Sequence, residues 1–246
     1  MDVALIVQTI PQLLNGLALT VLLTTASVVA GSFIAIPLAL AGASGSRVIS
    51  LPVRAYTFVF RGTPLLVQLF LVYYGLGQLE WVRASVAWPI LRDPFWCALV
   101  AFSLNNSAYT TEILRGGLRA VPPGEIEAAK ALGMPLLLRI RRIILPIAFR
   151  LSLPAYGNEV ILMLKASSLA STITIMELTG TARKIVAQTF APYEVFVAAA
   201  LLYLTVTFLF TSAFSLIELR LSKHHRRTDN ERKAAEPARL SRELAQ

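Results

Sequence analysis

The first long stretch of the chain reads VALIVQTIPQLLNGLALTVLLTTASVVAGSFIAIPLALAGASGS, residues 3–46, and contains no charged side chain. A hydrocarbon core about 30 Å thick needs roughly 20 consecutive apolar residues when an α-helix crosses it. The stretch is longer than one such helix, and we place a span near residues 14–41. Pro37 is compatible with this span, because neighbouring helices can satisfy a carbonyl that a proline frees.

Further apolar stretches follow the first. Three of them lack charge entirely: residues 62–79, which residues 55–60 extend, 94–111 and 195–217. A fourth, 151–176, is apolar except for Glu159 and Lys165. The chain is 56% hydrophobic and 15% charged, which is too little charge for the surface of a soluble domain. The pattern predicts an all-α integral membrane protein with about five transmembrane helices.

Basic residues are distributed unevenly between the predicted loops. If residues 43–54, the long loop 112–150 and the C-terminal tail lie in the cytoplasm, with Arg61 and Arg220 at the same boundary, 18 of the 23 basic residues lie on that side. The positive-inside rule then predicts an outer N-terminus and a cytoplasmic C-terminus. The net charge of +9 reflects this topology, so we expect no nucleic-acid partner. We divide the chain into a transmembrane domain, 1–220, and a charged cytoplasmic tail, 221–246, expected to be a frayed helix or disordered.

The composition also argues against catalysis by this chain. Cys97 is the only cysteine and both histidines lie in the tail, so no metal-ligand cluster and no nucleophile–base pair can be assigned. No G-x-x-x-x-G-K-[ST] motif occurs, so the chain lacks this signature of ATP binding. We predict no catalytic residue, no bound metal and no cofactor on this chain.

The loop between the third and fourth predicted spans is strongly patterned. It reads AVPPGEIEAAKALGMPLLLRIRRIILP, residues 120–146. Pro122 and Pro123 break the incoming helix, and a short alanine-rich helix follows. Gly133 suits the C′ position of that helix, and Pro135 suits N1 of a second helix with arginines at 139, 141 and 142. A short helix, a glycine turn and a second helix make a compact knob that can transmit a push to membrane helices.

This loop resembles the EAA loop of binding-protein-dependent ABC importer permeases. The matching positions are Glu127, Ala128, Ala129, Gly133, Ile143, Leu145 and Pro146. The resemblance implies a bacterial inner-membrane permease subunit and an ATPase-coupling role for Glu127, Ala128, Ala129, Gly133, Arg139 and Arg142. It also implies two ATP-binding subunits that carry ATP-Mg, a second permease subunit, an external solute-binding protein and contact with membrane lipid. The second permease subunit is either another copy or a related chain.

Other segments resemble the polar amino-acid branch of that family. These are FRGTPLLVQLF (60–70), AYTTEI (108–113) and YGNEVILML (156–164), the last similar to the M-type permeases of histidine, lysine-arginine-ornithine, octopine and nopaline importers. The resemblance implies import of basic amino acids or opines, with neutral polar amino acids left open. Lys165-Ala166-Ser167 departs from it, since many relatives carry Asp and Thr at positions 166 and 167.

Polar residues at membrane depth are the candidates for a solute path, because such groups usually face a bundle interior or a cavity. Asn105, Tyr109 and Glu112 share one helix face, with Asn106 beside them. The alternative is that they join helices, and that Glu112 pairs with Arg115. Glu159 follows Arg150 by about 13 Å of helical rise, which places it near the midplane beside Asn158.

A helix break is predicted at Gly62-Thr63-Pro64, with Thr63 as the N-cap and Pro64 at N1. A helix N-terminus within a membrane favours an anion such as an α-carboxylate, whereas a simple kink is the alternative. Gln68 lies one and a half turns further on and is a candidate for the pocket. Arg61 shares its helix face and can extend to the headgroups.

Two other classes of protein compete with a permease subunit. A carrier or channel acting alone would leave the loop 120–146 without a role, and five spans do not divide into two equal repeats. Transport by this chain alone, driven by a gradient and insensitive to vanadate, would favour that class. A membrane enzyme is disfavoured by the missing catalytic and metal-ligand motifs.

Overall fold

The computed structural model describes the backbone of residues 3–243 and the side chains of residues 4–221. All regular elements in that part are helical. The α-helices are α1 (Val3–Gly42), α2 (Arg47–Gly62), α3 (Leu65–Phe70), α4 (Glu80–Arg83), α5 (Trp88–Leu91), α6 (Pro94–Arg119), α7 (Pro123–Ala131), α8 (Leu136–Arg139), α9 (Leu145–Ala166), α10 (Leu178–Thr189) and α11 (Pro192–Glu243). Two π-helical turns, Leu71–Gly75 and Ile140–Ile144, and two 3₁₀ turns, Leu76–Gln78 and Ser167–Ile173, extend α3, α8 and α9.

Length and composition alone mark two helices as able to cross a membrane, Ala4–Gly42 and Pro192–Leu221. Two bent pairs raise the number to four if each pair is one span. These pairs are Arg47–Gly62 with Leu65–Gln78, bent by 102°, and Leu136–Ile173 with Leu178–Thr189, bent by 48°. The predicted third span corresponds to α6, whose asparagines, serines and threonines lower its hydropathy. The all-α membrane fold is confirmed, while the count of five spans and their orientation stay predictions.

Helix α6 lies at the centre of the bundle, in contact with α1, α2 and α9. Apart from Phe102, its buried face consists of small and polar residues, among them Ala101, Asn105 and Asn106. Small residues allow helix backbones to approach closely in membranes. At Gly31 of α1, a Cβ atom would lie 2.5 Å from Asn106 Oδ1 and 2.9 Å from the Ser103 carbonyl oxygen. Only glycine therefore permits the observed packing of α1 on α6.

Two apolar clusters hold the remaining helices together. One joins α1, α3, α6 and α9 around Phe102 and Leu69, both fully buried. The other joins α1, α10 and α11 around Leu13 and Leu178. Helices α1 and α6 end, and α9 begins, at one end of the bundle. We call it the basic end, because Arg119 is the last residue of α6 and Arg141 and Arg142 lie just before α9.

The tail begins within α11, whose backbone is helical to Glu243. Residues 244–246 of the predicted tail lie outside the described residues.

Candidate functional site

The predicted break between α2 and α3 is present, but its register differs from the prediction. Thr63 and Pro64 are both extended, and Pro64, not Thr63, occupies the N-cap position of α3. The prediction of Thr63 as an N-cap is therefore wrong. Its hydroxyl instead donates to the Val59 carbonyl oxygen at 2.8 Å, which completes the last turn of α2.

Gln68 bridges this break. Its Nε2 lies 2.7 Å from the Phe60 carbonyl oxygen, 3.1 Å from the Thr63 carbonyl oxygen and 2.7 Å from Thr63 Oγ1. Its Oε1 accepts from Asn105 Nδ2 of α6 at 3.0 Å. The amide thus satisfies backbone carbonyls that the end of α2 leaves without helical partners. The hydrogen bond between Gln68 and Asn105 therefore joins α3 and the break to α6.

The predicted polar face of α6 packs against α2. Tyr109 donates to the Arg61 carbonyl oxygen at 3.4 Å, and the Arg61 guanidinium lies 5.3 Å from the centre of the Tyr109 ring. Glu112 accepts from Thr57 Oγ1 at 3.0 Å and from Arg115 Nε at 3.1 Å, and it also pairs with Arg115 Nη2. Glu112 therefore has its own cation, as the structural alternative required.

Glu159 lies on α9 at 6% exposure, in a different setting. It forms no ion pair with any described side chain. The Arg61 charge acts on its carboxyl group, and the Asn106 side chain lies beside it as a weak hydrogen-bond donor. Asn106 is fully buried and its Nδ2 has no hydrogen-bond partner in the described part of the chain. This corner of the bundle thus retains both an anionic group and a donor with unused bonding capacity.

Asn158, the neighbour of Glu159, points away from the bundle. It is exposed, on a face of α9 that also presents Leu151, Leu162 and Lys165. An asparagine at this depth that faces lipid would be costly, so this face needs a protein partner or an aqueous cavity.

A second buried carboxylate, Glu177, was not singled out from the sequence. It is the N-cap of α10 and accepts from the backbone N–H groups of Thr179 at 2.9 Å and Gly180 at 2.8 Å. The Tyr203 hydroxyl of α11 donates to it at 2.9 Å, and the Thr20 hydroxyl of α1 at 3.3 Å. Glu177 therefore ties three helices together with its bonding capacity in use.

The loop 120–146 forms the predicted helix–turn–helix. Helix α7 ends in a Schellman motif: Gly133, at φ +70°, donates to the Lys130 carbonyl oxygen, and Met134 donates to that of Ala129. Pro135 occupies the N-cap position of α8, one residue before the predicted N1. Glu127 and Ala128 are exposed, whereas Ala129 is buried.

The second half of this loop presents arginines and leucines to the surface. Arg139 is half-buried, with its Nε left without a partner in the described structure, and Arg142 is exposed. Leu132, Leu136 and Leu137 are 82%, 61% and 78% exposed. Exposed apolar patches rimmed by charged residues mark protein–protein interaction sites.

Residues 27–223 match the family described as "Binding-protein-dependent transport system inner membrane component". The chain belongs to this family. It is 49% identical over 221 residues to the octopine transport system permease protein OccM of Rhizobium meliloti, with 90% of each chain covered. It is 44% identical over 211 residues to the histidine/lysine/arginine/ornithine transport system permease protein HisM of Escherichia coli K12, which covers 85% of this chain and 89% of HisM.

Solved structures agree with this family membership. A crystal structure of an amino acid ABC transporter with histidines superposes with a TM-score of 0.80 at 37% identity, covering 89% of this chain and 99% of that chain. The methionine transporter MetNI shares the fold, with a TM-score of 0.73 at 18% identity over 90% of this chain and 99% of that one. This chain is thus a multi-pass inner-membrane permease subunit of an ABC importer, and ATP hydrolysis belongs to a separate subunit.

Proposed function

We propose that this permease subunit imports polar amino acids that carry a cationic group, namely basic amino acids or opines. The names of its relatives support this, since they are permeases for octopine and for histidine, lysine, arginine and ornithine. A nopaline permease, NocM of Agrobacterium fabrum, is also 46% identical over 227 residues, which are 92% of this chain and 94% of NocM. The solute class thus extends from proteinogenic basic amino acids to opines.

The observation that carries the proposal is the unpaired Glu159. A buried carboxylate is costly unless a cation and hydrogen bonds compensate it. Glu112 has Arg115 for this purpose, whereas Glu159 has no ion pair among the described side chains. The cationic group of a passing solute supplies the missing charge. Asn106 adds a donor with free capacity, and the exposed Arg61 provides a positive charge for the solute's carboxylate.

The path itself needs a second permease subunit. The exposed face of α9 around Asn158 lies beside Glu159, so in this proposal it borders the cavity between two subunits. The wall of this cavity is stabilised at the α2–α3 break by Tyr109, Thr63 and the side-chain amides of Gln68 and Asn105. Either a second copy or a related chain can complete the cavity. In this arrangement the N-terminus of the transmembrane domain, 1–220, lies outside the cell, and the charged tail, 221–246, lies in the cytoplasm.

The loop 120–146 is the proposed contact with the ATPase. Two ATP-binding subunits hold ATP-Mg, and a solute-binding protein delivers solute from outside. The exposed Glu127 and Ala128, together with Gly133, Arg139 and Arg142, present a rigid surface whose shape the Schellman turn fixes. The buried Ala129 anchors α7 from below. Closure of the ATPase dimer would move this knob and switch the cavity between outward and inward access.

The test of the solute site is Glu159→Gln in the complete complex, reconstituted in proteoliposomes with its binding protein. We expect the concentration of arginine for half-maximal uptake to rise at least about tenfold, because one charge interaction is lost. Basal ATPase activity and complex assembly should persist. Glu80→Gln, on the exposed helix α4, is the matched control. Unchanged arginine uptake by Glu159→Gln would show that the carboxylate is structural.

The test of coupling is Glu127→Arg. We expect uptake to fall to background while the subunit still inserts in the membrane, because reversed charge on α7 disrupts the ATPase contact. Glu125→Arg, an exposed acid in the first turn of the same helix, is the control for charge alone. Normal uptake by Glu127→Arg would refute the coupling role.

A further inference from the structure

A long apolar groove runs along the basic half of the bundle, between α1 and α9, with α6 as its floor. It consists of two adjoining cavities of about 240 Å³ and 340 Å³, which share Ile36, Leu114, Phe149 and Ser152. The rims are formed by Ile36 and Phe149, which are 52% and 54% exposed. No described part of the chain closes the groove over these rims.

The groove offers nothing to a polar solute. Ser152 is buried, and its hydroxyl already donates to the Ala148 carbonyl oxygen at 2.8 Å. Ser32 and Tyr156 are hydrogen-bonded to each other at 2.8 Å. Thr110 is buried, and its hydroxyl donates to Asn106 Oδ1 at 3.4 Å. The remaining lining is aliphatic or aromatic. The groove is therefore not part of the proposed solute path, and its occupant has to be apolar.

The shape of the groove favours a flexible chain over a helix. An α-helix with its side chains is about 10 Å across, so a helix of another subunit could only lie over the rims. A hydrocarbon chain can enter and fill the space beneath them. Because α1 and α9 belong to the membrane-spanning part, lipid acyl chains surround the groove at high concentration.

Cationic side chains stand where the groove reaches the basic end. Its last lining residues are Leu40, Leu118 and Leu145, at the ends of α1 and α6 and the start of α9. Arg119 follows Leu118, and Arg141 precedes Leu145 by about one turn. Both are exposed, and neither forms an ion pair with a described side chain. Basic residues beside a cleft between membrane helices on the cytoplasmic side are suited to anionic lipid headgroups.

We propose that this groove binds an anionic phospholipid of the cytoplasmic leaflet, with one acyl chain between α1 and α9 and its phosphate at Arg119 and Arg141. The assignment to the cytoplasmic leaflet rests on the proposed orientation. The site itself depends on neither the solute nor Glu159. Bound lipid would fill the gap between the α1 and α9 walls and hold the end of α9 to which the coupling loop connects.

The experiment is native mass spectrometry of the intact complex, taken from nanodiscs of equal parts phosphatidylglycerol and phosphatidylethanolamine. We expect the wild-type complex to retain phosphatidylglycerol in preference. The double variant Arg119→Gln, Arg141→Gln should lower that preference about tenfold, since each arginine near the membrane surface attracts anionic lipid. The control is Arg83→Gln, in helix α4, which does not line the groove. This variant should keep the preference for phosphatidylglycerol.

A second variant tests the acyl-chain position. Ile36→Trp should fill the groove and reduce retention of both lipids, whereas Leu22→Trp, a 56% exposed residue elsewhere on α1, should not. Equal retention by all variants would overturn the proposal, as would an arginine double variant that loses both lipids to the same extent. Disulfide cross-linking of Phe149→Cys to the second permease subunit would also overturn it, because a protein would then cover the groove. These measurements do not depend on arginine uptake, so they test the lipid site even if the proposal for the solute is wrong.

Discussion

Two buried glutamates, Glu159 and Glu177, sit on consecutive segments of this subunit in opposite surroundings. Glu177 is fully buried and accepts hydrogen bonds from two backbone N–H groups and two hydroxyls, drawn from α10, α11 and α1. Glu159 is almost as buried, yet it has no ion pair among the described side chains, and Asn106 is the one side chain that acts on it as a hydrogen-bond donor there. Burial alone therefore does not show whether the fixed parts of the chain satisfy a carboxylate.

The two carboxylates differ in the hydrogen-bond donors that surround them. Fixed donors stabilise Glu177 in one place and leave it no capacity for a ligand. Glu159 has the Asn106 side chain and the Arg61 charge acting on it, and the bonds it lacks must come from elsewhere. A polar group at membrane depth that its own chain leaves unsatisfied is a candidate for contact with solute.

The largest expected effect on stability comes from Glu177→Ala. Removing the carboxylate deprives α10 of its N-cap and removes the charged acceptor of the Tyr203 and Thr20 hydroxyls. We expect a loss of about 3 kcal/mol in stability, from the cap and the charged hydrogen bonds together. The loss of stability is measured by heating the purified complex and determining the fraction that remains intact by size-exclusion chromatography. An unchanged melting temperature would mean that the three helices do not depend on Glu177.

A smaller effect is expected for Tyr203→Phe, which removes one donor to Glu177 and its contact with Thr179. The expected loss is about 1.5 kcal/mol, because a hydrogen bond to a charged group is removed while the ring remains. Tyr193→Phe is the control on the same helix, since Tyr193 is 65% exposed. If the two tyrosine variants melt together, the bond to Glu177 contributes nothing measurable.

The smallest effect on stability is expected for Glu159→Gln. A buried charge without a partner costs free energy, so its removal should change stability by less than about 1 kcal/mol or increase it. The same variant should show the weakened arginine uptake described above. If Glu159→Gln melted at a temperature as low as that of Glu177→Ala, both glutamates would be required for the stability of the fold.

Much of the fold could be predicted from the sequence. Residues 3–42 of the uncharged stretch 3–46 form one helix, α1, and the stretch 195–217 lies within α11. The loop 120–146 has the predicted helix, glycine turn and helix, because proline and glycine act through local backbone geometry. Errors of one residue occurred at Thr63 and Pro135, where a proline took the N-cap position itself.

The candidate site was less accessible to sequence reasoning. Asn105, Gln68 and the end of α2 were identified separately, but their mutual hydrogen bonds depend on how α3 turns back against α6. Glu177 was overlooked because it falls between predicted spans, although an acid two and three residues before Thr179 and Gly180 is a pattern typical of a helix N-cap. That signal gives the cap but not the hydroxyls of Thr20 and Tyr203.

The sequence by itself determined the membrane class, the helix–turn–helix loop and the family, because hydropathy, turn chemistry and motif spacing are sums over neighbouring residues. Tertiary structure alone decided which buried carboxylate is satisfied, since the hydroxyls that bond Glu177 come from helices at opposite ends of the chain. It also decided that α6 lies at the centre and that α1 and α9 leave a groove between them. These properties depend on which helix faces meet, and helix packing brings together residues that are far apart in the sequence.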